Sequence, residues 1–351
     1  NAEPFQPRIL PGRRWNESNA RFAVEPKEGK HPTWDQLMRV VGRGLDSDLE
    51  ASEWARKNGI KTGADYLRVW LSTMLQNPKS RRAYLFLYSR EQGTGKSLFF
   101  ESVKLLIGDA VVKGNRALLS EGGFNGELRR AVLVYSEEVN LGGSGRSKVY
   151  NRIKDWSLSL NMSIHVKGGT VFEVPNVMSF GHAANDPRYC PVFEGDDRIT
   201  MLRVEPARAD EQIPKLVMQE RLEAEAPAFL HSLLNDPTPT SKGRYVVPPI
   251  STEAKRQQAK ASRDELQVWL SDHPEWITLG DIELQDTFRN YLELRGLDKK
   301  WWSPSRIMGS LPEQGAKTRQ LVPTLQRRAS GRWPAPEPPT AFGLGSAVKA
   351  G

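Results

Sequence analysis

Cysteine is nearly absent from this sequence: one residue, Cys190, in a chain of 351. A single thiol excludes an internal disulfide framework and a cysteine-built zinc site. Histidine is scarce as well, with five copies, so a structural transition-metal centre has few donors to draw on. No run of 18 apolar residues occurs, which leaves no membrane-spanning helix of ordinary length. The first residue is Asn1 rather than Met and the start does not read as a signal peptide, so the expectation is a fragment of a longer polypeptide. The lone cysteine agrees with a reducing, cytoplasmic setting. Acidic residues are also in deficit, 42 against 50 Lys and Arg, for a net charge of +8. Such an excess favours a polyanionic partner without specifying which.

What is present is concentrated after the apolar run at 84–88. Gln92-Gly93-Thr94-Gly95-Lys96-Ser97 follows it directly and leads into an apolar helix-like stretch from Leu98 to Ile107. Strand, Gly-x-Gly-Lys-Ser and helix in that order are the layout of a phosphate-binding loop. Glycines let backbone N–H groups curl around phosphate oxygens, and the helix start adds partial positive charge. Lys96 would reach the β- and γ-phosphates of ATP, and Ser97 would hold Mg²⁺. The full signature has a glycine at the position of Arg90, and here that glycine is missing.

A coarse pass gives five segments. Residues 1–79 read as an extended, Pro- and charge-rich start with anchors at Phe5, Trp15 and Phe22, then a helical subdomain ending at Asn77-Pro78. Residues 80–206 carry short apolar runs at 84–88, 131–135, 177–180 and 199–204, which predict a largely parallel α/β core. Residues 207–250 form a helix, marked by Pro214 and Pro227, and a Pro-rich linker. Residues 251–334 predict helices near 253–271, 281–295 and 304–311, then a strand pair at 321–327 and 331–333. This is a winged-helix-like order with six Lys or Arg against one acid between 301 and 334. The pair Trp301 and Trp302 fits either packing or base stacking. The tail 335–351 is Pro/Gly/Ala-rich and reads as disordered.

Further candidates extend the loop into a constellation. The strand at 131–135 runs into Ser136-Glu137-Glu138, acids at the strand end where an open α/β sheet places its ligand. Glu137 is assigned to the metal and Glu138 to the attacking water as base, with the register open by one residue. The strand at 177–180 leads to Asn185, whose amide can touch both γ-phosphate and water, or simply begin the turn Asp186-Pro187. Arg198, in Asp196-Asp197-Arg198, is a candidate to enter a neighbouring subunit's site; a local Asp–Arg pair and the rival Arg188 are the alternatives.

These elements in this order resemble a superfamily 3 helicase, of the primase-helicase type found in phages, poxviruses and mobile elements. The resemblance covers residues 15 to 206. It is anchored on Trp15-Asn16, the helix ending Leu75-Gln76-Asn77-Pro78, the phosphate loop, the acidic strand, Ile164-His165-Val166-Lys167-Gly168-Gly169, Asn185 and Asp197-Arg198. It implies an AAA+-like P-loop ATPase core that uses ATP and Mg²⁺. It also implies a homo-oligomeric ring, hexameric in the expectation, and a fused or associated primase or polymerase domain. The setting would be a bacterial host or a virus-infected cell. The stretch between the acidic strand and Asn185 would then be a hairpin that grips single-stranded DNA through Lys167, with His165 as a second contact. Alternating apolar residues around Lys-Gly-Gly support the hairpin on physical grounds. Two other readings share the phosphate loop: an ATPase that remodels or loads proteins, and a DNA-binding module with a relic ATP site.

Overall fold

The structure is a computed structural model and describes residues 3–12, 14–16, 20–120, 123–139, 146–190, 192, 195–261, 264–294 and 302–312. The chain opens with a short antiparallel ladder, β1 (Ile9–Leu10) against β2 (Arg14–Trp15). The buried Asn16 amide ties this start together, donating to the carbonyls of Glu3 (2.8 Å), Gln6 (3.1 Å) and Pro7 (3.0 Å). The Phe5 ring stacks on Phe22 at 4.6 Å, so both serve as anchors.

Four helices follow: α1 (Pro32–Gly42), α2 (Asp46–Leu49), α3 (Glu53–Lys57) and α4 (Gly63–Gln76). A capping box of Thr62 and Asp65 starts α4, satisfying backbone donors that the first turn leaves open. Its buried residues Tyr66, Trp70 and Met74, with Leu67 and Leu71 beside them, fall at the four-residue spacing of one helix face.

The apolar runs then enter one five-stranded sheet: β3 (Tyr84–Tyr88), β4 (Val111–Lys113), β5 (Leu133–Glu137), β8 (Ser179–Ala184) and β9 (Ile199–Arg203). All pairings are parallel and the spatial order is β4-β5-β8-β3-β9. The fold is therefore α/β with a parallel sheet. Both faces are covered, which is why the strands are apolar throughout rather than alternating. Leu85, Leu87 and Leu202 pack with α1, α4, α5 (Lys96–Ser102), α6 (Lys104–Ile107) and α9 (Lys215–Asn235). Tyr84, Phe86 and Met201 pack on the other face with α7 (Asn115–Leu119) and α8 (Arg146–Leu158). A hairpin, β6 (Asn161–Ile164) and β7 (Phe172–Pro175), joins that second core.

Two strands depart from the sequence reading. β4 is an addition: three residues cut off by Gly114 are too short to stand out as an apolar run. β8 begins later than 177 and continues through Gly181-His182-Ala183-Ala184, a stretch with little apolar signal. Small residues are needed there, because a Cβ on Gly181 would lie 2.2 Å from the Phe100 ring of α5.

The strand order creates a switch point. The connection leaving β3 runs towards β4 on one side, while the connection leaving β8 crosses to β9 on the other. Neighbouring strands whose connections diverge leave a crevice at their C-terminal ends, where open α/β sheets bind ligands.

Beyond the sheet, α9 starts after Pro214 and contains Pro227. It is followed by α10 (Glu253–Ala261), α11 (Asp264–Asp272), α12 (Asp281–Leu294) and α13 (Pro304–Gly309). The last three share a core of their own around Trp269, Phe288 and Trp302. Trp302 is thus a packing residue: it meets Phe288 edge-on at 5.0 Å and its Nε1 donates to Glu265 at 3.1 Å. The strand pair expected at 321–327 and 331–333, Trp301, and the tail from 335 lie outside the described residues.

Candidate functional site

The crevice between β3 and β8 is filled on one side by the loop 89–95. Gly93 and Gly95 have φ of +70° and +93°, conformations that side chains resist. A Cβ on Gly93 would meet nothing within 4 Å, so the loop's outer surface is open to a ligand. Gly95 is backed by Val41 and Leu37 of α1, whose side chains would lie 3.5 and 3.8 Å from an added Cβ. The Lys96 ammonium folds back over the loop, donating to the Glu91 carbonyl (3.1 Å) and the Thr94 hydroxyl (3.2 Å). Its partners are neutral, so its charge is left without a bonded counter-ion. Burial lowers its pKa, and the charge of Glu138 opposes that shift.

The two acids separate at the end of β5. Glu137 continues the strand. Burial raises its carboxyl, but the hydrogen bond and charge of Lys113, with the Ser97 hydroxyl nearby, outweigh this and hold it below the usual carboxylate range. Lys113 ion-pairs with Oε2, while Oε1 is buried with no hydrogen-bond partner. Asn115 clamps the Glu137 backbone from both sides, donating to its carbonyl at 2.7 Å and accepting from its N–H at 2.9 Å. Glu138 takes φ of +50°, a left-handed conformation costing about 1–3 kcal/mol in a non-glycine residue. Its N–H still donates to the Ala183 carbonyl at 3.0 Å. The main chain therefore stays on the sheet while the Glu138 side chain lines the cleft that Lys96 faces. The two acids thus stand in two places: Glu137 beside Ser97, and Glu138 in the cleft.

Asn185, just past β8, lines the same cleft, and Asp186-Pro187 after it leads into a single helical turn at Pro187–Tyr189. The cleft is about 570 Å³, within the roughly 300–1,000 Å³ of small-molecule sites. Gln92 to Ser97, Glu138 and Asn185 line it. Leu37 and Val40 of α1, Ile213 just before α9 and Met218 within it contribute apolar side chains, and Glu101, Glu211, Gln212 and Lys215 add further polar ones.

The donor chemistry of Ser97 and Glu137, at the edge of the cleft, fits Mg²⁺. A buried, unpartnered carboxylate oxygen beside a serine hydroxyl offers oxygen ligands, and Mg²⁺ uses one or two protein ligands while phosphates and water complete its shell. Ser97 and Glu137 would hold it.

Three predicted residues lie elsewhere. Arg198 stands at the start of β9, where its carbonyl accepts from Tyr84 N–H at 2.9 Å. That is one strand length from the cleft, roughly 16 Å at about 3.3 Å per residue. Its guanidinium pairs with Asp197 at 3.1 Å, the local pair weighed in the sequence, and Arg244 shares the same carboxylate. The rival Arg188 is on the cleft's edge of the sheet but exposed and held by Asp186. Lys167 and His165 belong to the expected hairpin, which is present. Its tip closes with Gly169 N–H on the Val166 carbonyl at 3.0 Å, and Gly168 at φ +78° takes the turn position that favours glycine. Lys167 is exposed there; the His165 ring lies 4.6 Å from Phe124. The hairpin is rooted at the opposite end of the sheet from the cleft, where Arg81, next to β3, donates to the Asn176 carbonyl at 3.0 Å.

Lys113 and Asn115 are site residues that the sequence reading missed. Their only signal is position: they flank the end of β4, which is itself hard to read.

A family described as a family of unknown function (DUF5906) matches residues 87–200. The match begins inside β3 and ends inside β9, so it contains every candidate residue named above from Gln92 to Arg198. No curated protein matches the chain. Among solved structures, the apo C-terminal region of NrS-1 (305–718) aligns with a TM-score of 0.56 at 18% identity, over 82% of this chain and 70% of that one. The A form of the same region aligns with a TM-score of 0.55, also at 18% identity, over 91% and 74%. At this identity the likeness is one of fold. Among the described residues no helix is long and apolar enough to cross a membrane.

Proposed function

We propose that this chain is the ATP-hydrolysing motor of a DNA-replication protein of the superfamily 3 helicase type, from a phage or mobile element, which moves along single-stranded DNA as a ring. The observation that carries this reading is the convergence of the glycine-bent loop, Lys96, Glu138 and Asn185 on one crevice at the sheet's switch point, with Ser97 and Glu137 alongside. Lys96 would turn from its loop contacts to the β- and γ-phosphates of ATP. Mg²⁺, bound through Ser97 and Glu137, supplies charge neutralisation on the phosphate oxygens. Glu138 would orient and deprotonate the attacking water, and Asn185 would hydrogen-bond water and γ-phosphate. Arg198 of a second copy would complete the charge stabilisation, because each chain carries its own Arg198 at the wrong end of the sheet. Lys167 would hold DNA phosphates without reading sequence, a contact that weakens with salt. The solved structures that share the fold are C-terminal regions, which agrees with an additional unit such as a primase or polymerase domain in the whole protein.

ATP turnover measured with and without a single-stranded oligonucleotide tests this. Hydrolysis stimulated by DNA is expected, with Lys96→Ala lowering kcat by about two orders of magnitude or more. Lys167→Ala is expected to lose the stimulation. Hydrolysis unaffected by Lys96→Ala would refute the motor assignment, and full stimulation in Lys167→Ala would remove the hairpin from the DNA path.

A further inference from the structure

Lys113 is the last residue of β4, and its pairing with Tyr135 sets it two residues short of Glu137 along the neighbouring strand. A four-carbon stem spans that offset and brings the ammonium onto Glu137 Oε2. The two partners are unequal. The Lys113 side chain is 50% exposed, whereas that of Glu137 is 14% exposed. Asn115 grips the Glu137 backbone on both its N–H and its carbonyl, so the main chain at this point has no freedom to move the carboxylate. What can change is the side-chain partner. One carboxylate oxygen is covered by a half-exposed cation that solvent can take back; the other is buried and unpartnered.

We propose that Lys113 is a resident counter-ion for the Mg²⁺-binding carboxylate: its ammonium holds Glu137 while the site carries no metal, and its charge opposes Mg²⁺ and so sets the concentration at which the metal–nucleotide complex forms. The inference rests on the nucleotide reading of the cleft. Its physical basis is simple. A largely buried carboxylate needs a partner, and a lysine is the partner most easily exchanged, being flexible and stable in water. A unit positive charge a few ångströms from a divalent ion is unfavourable even at a half-exposed site. Lys113 therefore prevents Glu137 from standing uncompensated in the empty site and raises the Mg²⁺ needed to fill it.

Binding of a fluorescent ATP analogue to the full chain, titrated with MgCl₂, tests the proposal without requiring turnover. Lys113→Met is expected to lower the Mg²⁺ midpoint by about tenfold, the order for removing one like charge at this range. Lys113→Gln, a second neutral side chain, is expected to do the same, and Lys113→Arg to stay near wild type. In a Glu137→Gln background, Lys113→Met is expected to shift the midpoint by clearly less than tenfold, because competition for the shared carboxylate is gone and only the through-space repulsion is left. A midpoint that is unchanged or higher in both neutral variants overturns the counter-ion role while leaving nucleotide binding intact. A shift of undiminished size in the Glu137→Gln background overturns it too, since Lys113 would then act without the shared carboxylate. A wild-type chain that binds no analogue at any Mg²⁺ concentration overturns the nucleotide reading and this inference together.

Discussion

His182 stands in the middle of β8, fully buried, with Nδ1 3.5 Å from the Tyr84 hydroxyl, its ring 5.0 Å from that of Phe86, and Nε2 without a partner. Burial with no acid at hand pushes its pKa down to about 3, against about 6.5 in an unfolded chain. Between those values the unfolded chain holds a proton that the folded one refuses. Lowering the pH therefore favours unfolding: the stability is complete above about 6.5 and is lost towards 3, with a limiting slope of about 1.4 kcal/mol per pH unit. The urea midpoint is expected to fall between pH 7 and pH 5, and His182→Phe, which keeps an apolar ring beside Phe86, is expected to flatten that fall. Equal slopes in the two proteins would contradict it. At this scale the sequence is partly legible. Lys96 and Ser97 are legible as candidates because the phosphate-loop pattern places them side by side after the glycines. That Glu137 and Glu138 part ways does not, since it rests on a single left-handed residue that composition gives no reason to expect. Lys113 is illegible for a different cause, because its partner is brought near only by sheet pairing.

Helix α1 is the element on which the cleft depends. Its residues Leu37 and Val40 line the cleft, and Leu37 and Val41 back Gly95. It is held by glycines. A Cβ on Gly42 would lie 2.4 Å from the Gly63 carbonyl carbon and 2.5 Å from Ala64 N, so α1 and the start of α4 meet backbone to backbone. Just beyond, a Cβ on Gly44 would lie 2.0 Å from the Arg203 carbonyl oxygen at the end of β9. Gly42→Ala is expected to destabilise by about 3 kcal/mol in urea denaturation, because two main chains must separate. It should also weaken nucleotide-analogue binding by moving the cleft wall. Gly280→Ala, at a site with nothing within 4 Å, is the control expected to change stability by no more than about 0.5 kcal/mol. Matching midpoints in the two variants would show that the helices tolerate separation. The helices themselves were readable, because α4 repeats its aromatic face every four residues. The glycine crossing was not, because nothing in a sequence without partners says which glycines meet. Arg82 shows the same limit: buried, with its pKa lowered to about 9 by burial, it donates to the Thr73 and Asn77 carbonyls at the end of α4, and no carboxylate in the sequence hints at that.

Across the whole molecule the candidate parts fall at two ends of one sheet. The phosphate loop, Glu138 and Asn185 stand at the C-terminal ends of the strands; Arg198 and the root of the Lys167 hairpin stand at the N-terminal ends. The sequence supplied the parts in order, but their distribution follows from strand direction and from β8 entering between β3 and β5. If the guanidinium acts across a head-to-tail contact, Lys96→Ala and Arg198→Ala each lose ATPase, yet an equal mixture recovers it. Random assortment gives roughly a quarter of the seams an intact loop facing an intact arginine. Mixtures as inactive as either variant alone would place the arginine outside the reaction.

The placement of Arg198 at the start of β9 also has a kinetic meaning. If Arg198 acts across a seam as proposed, the complete site is absent from a solitary polypeptide and arises only by encounter. Specific activity would then depend on how concentrated the preparation is, declining on dilution as the proposed rings came apart, and an assay run at a single low concentration would mistake dissociated chains for inert ones.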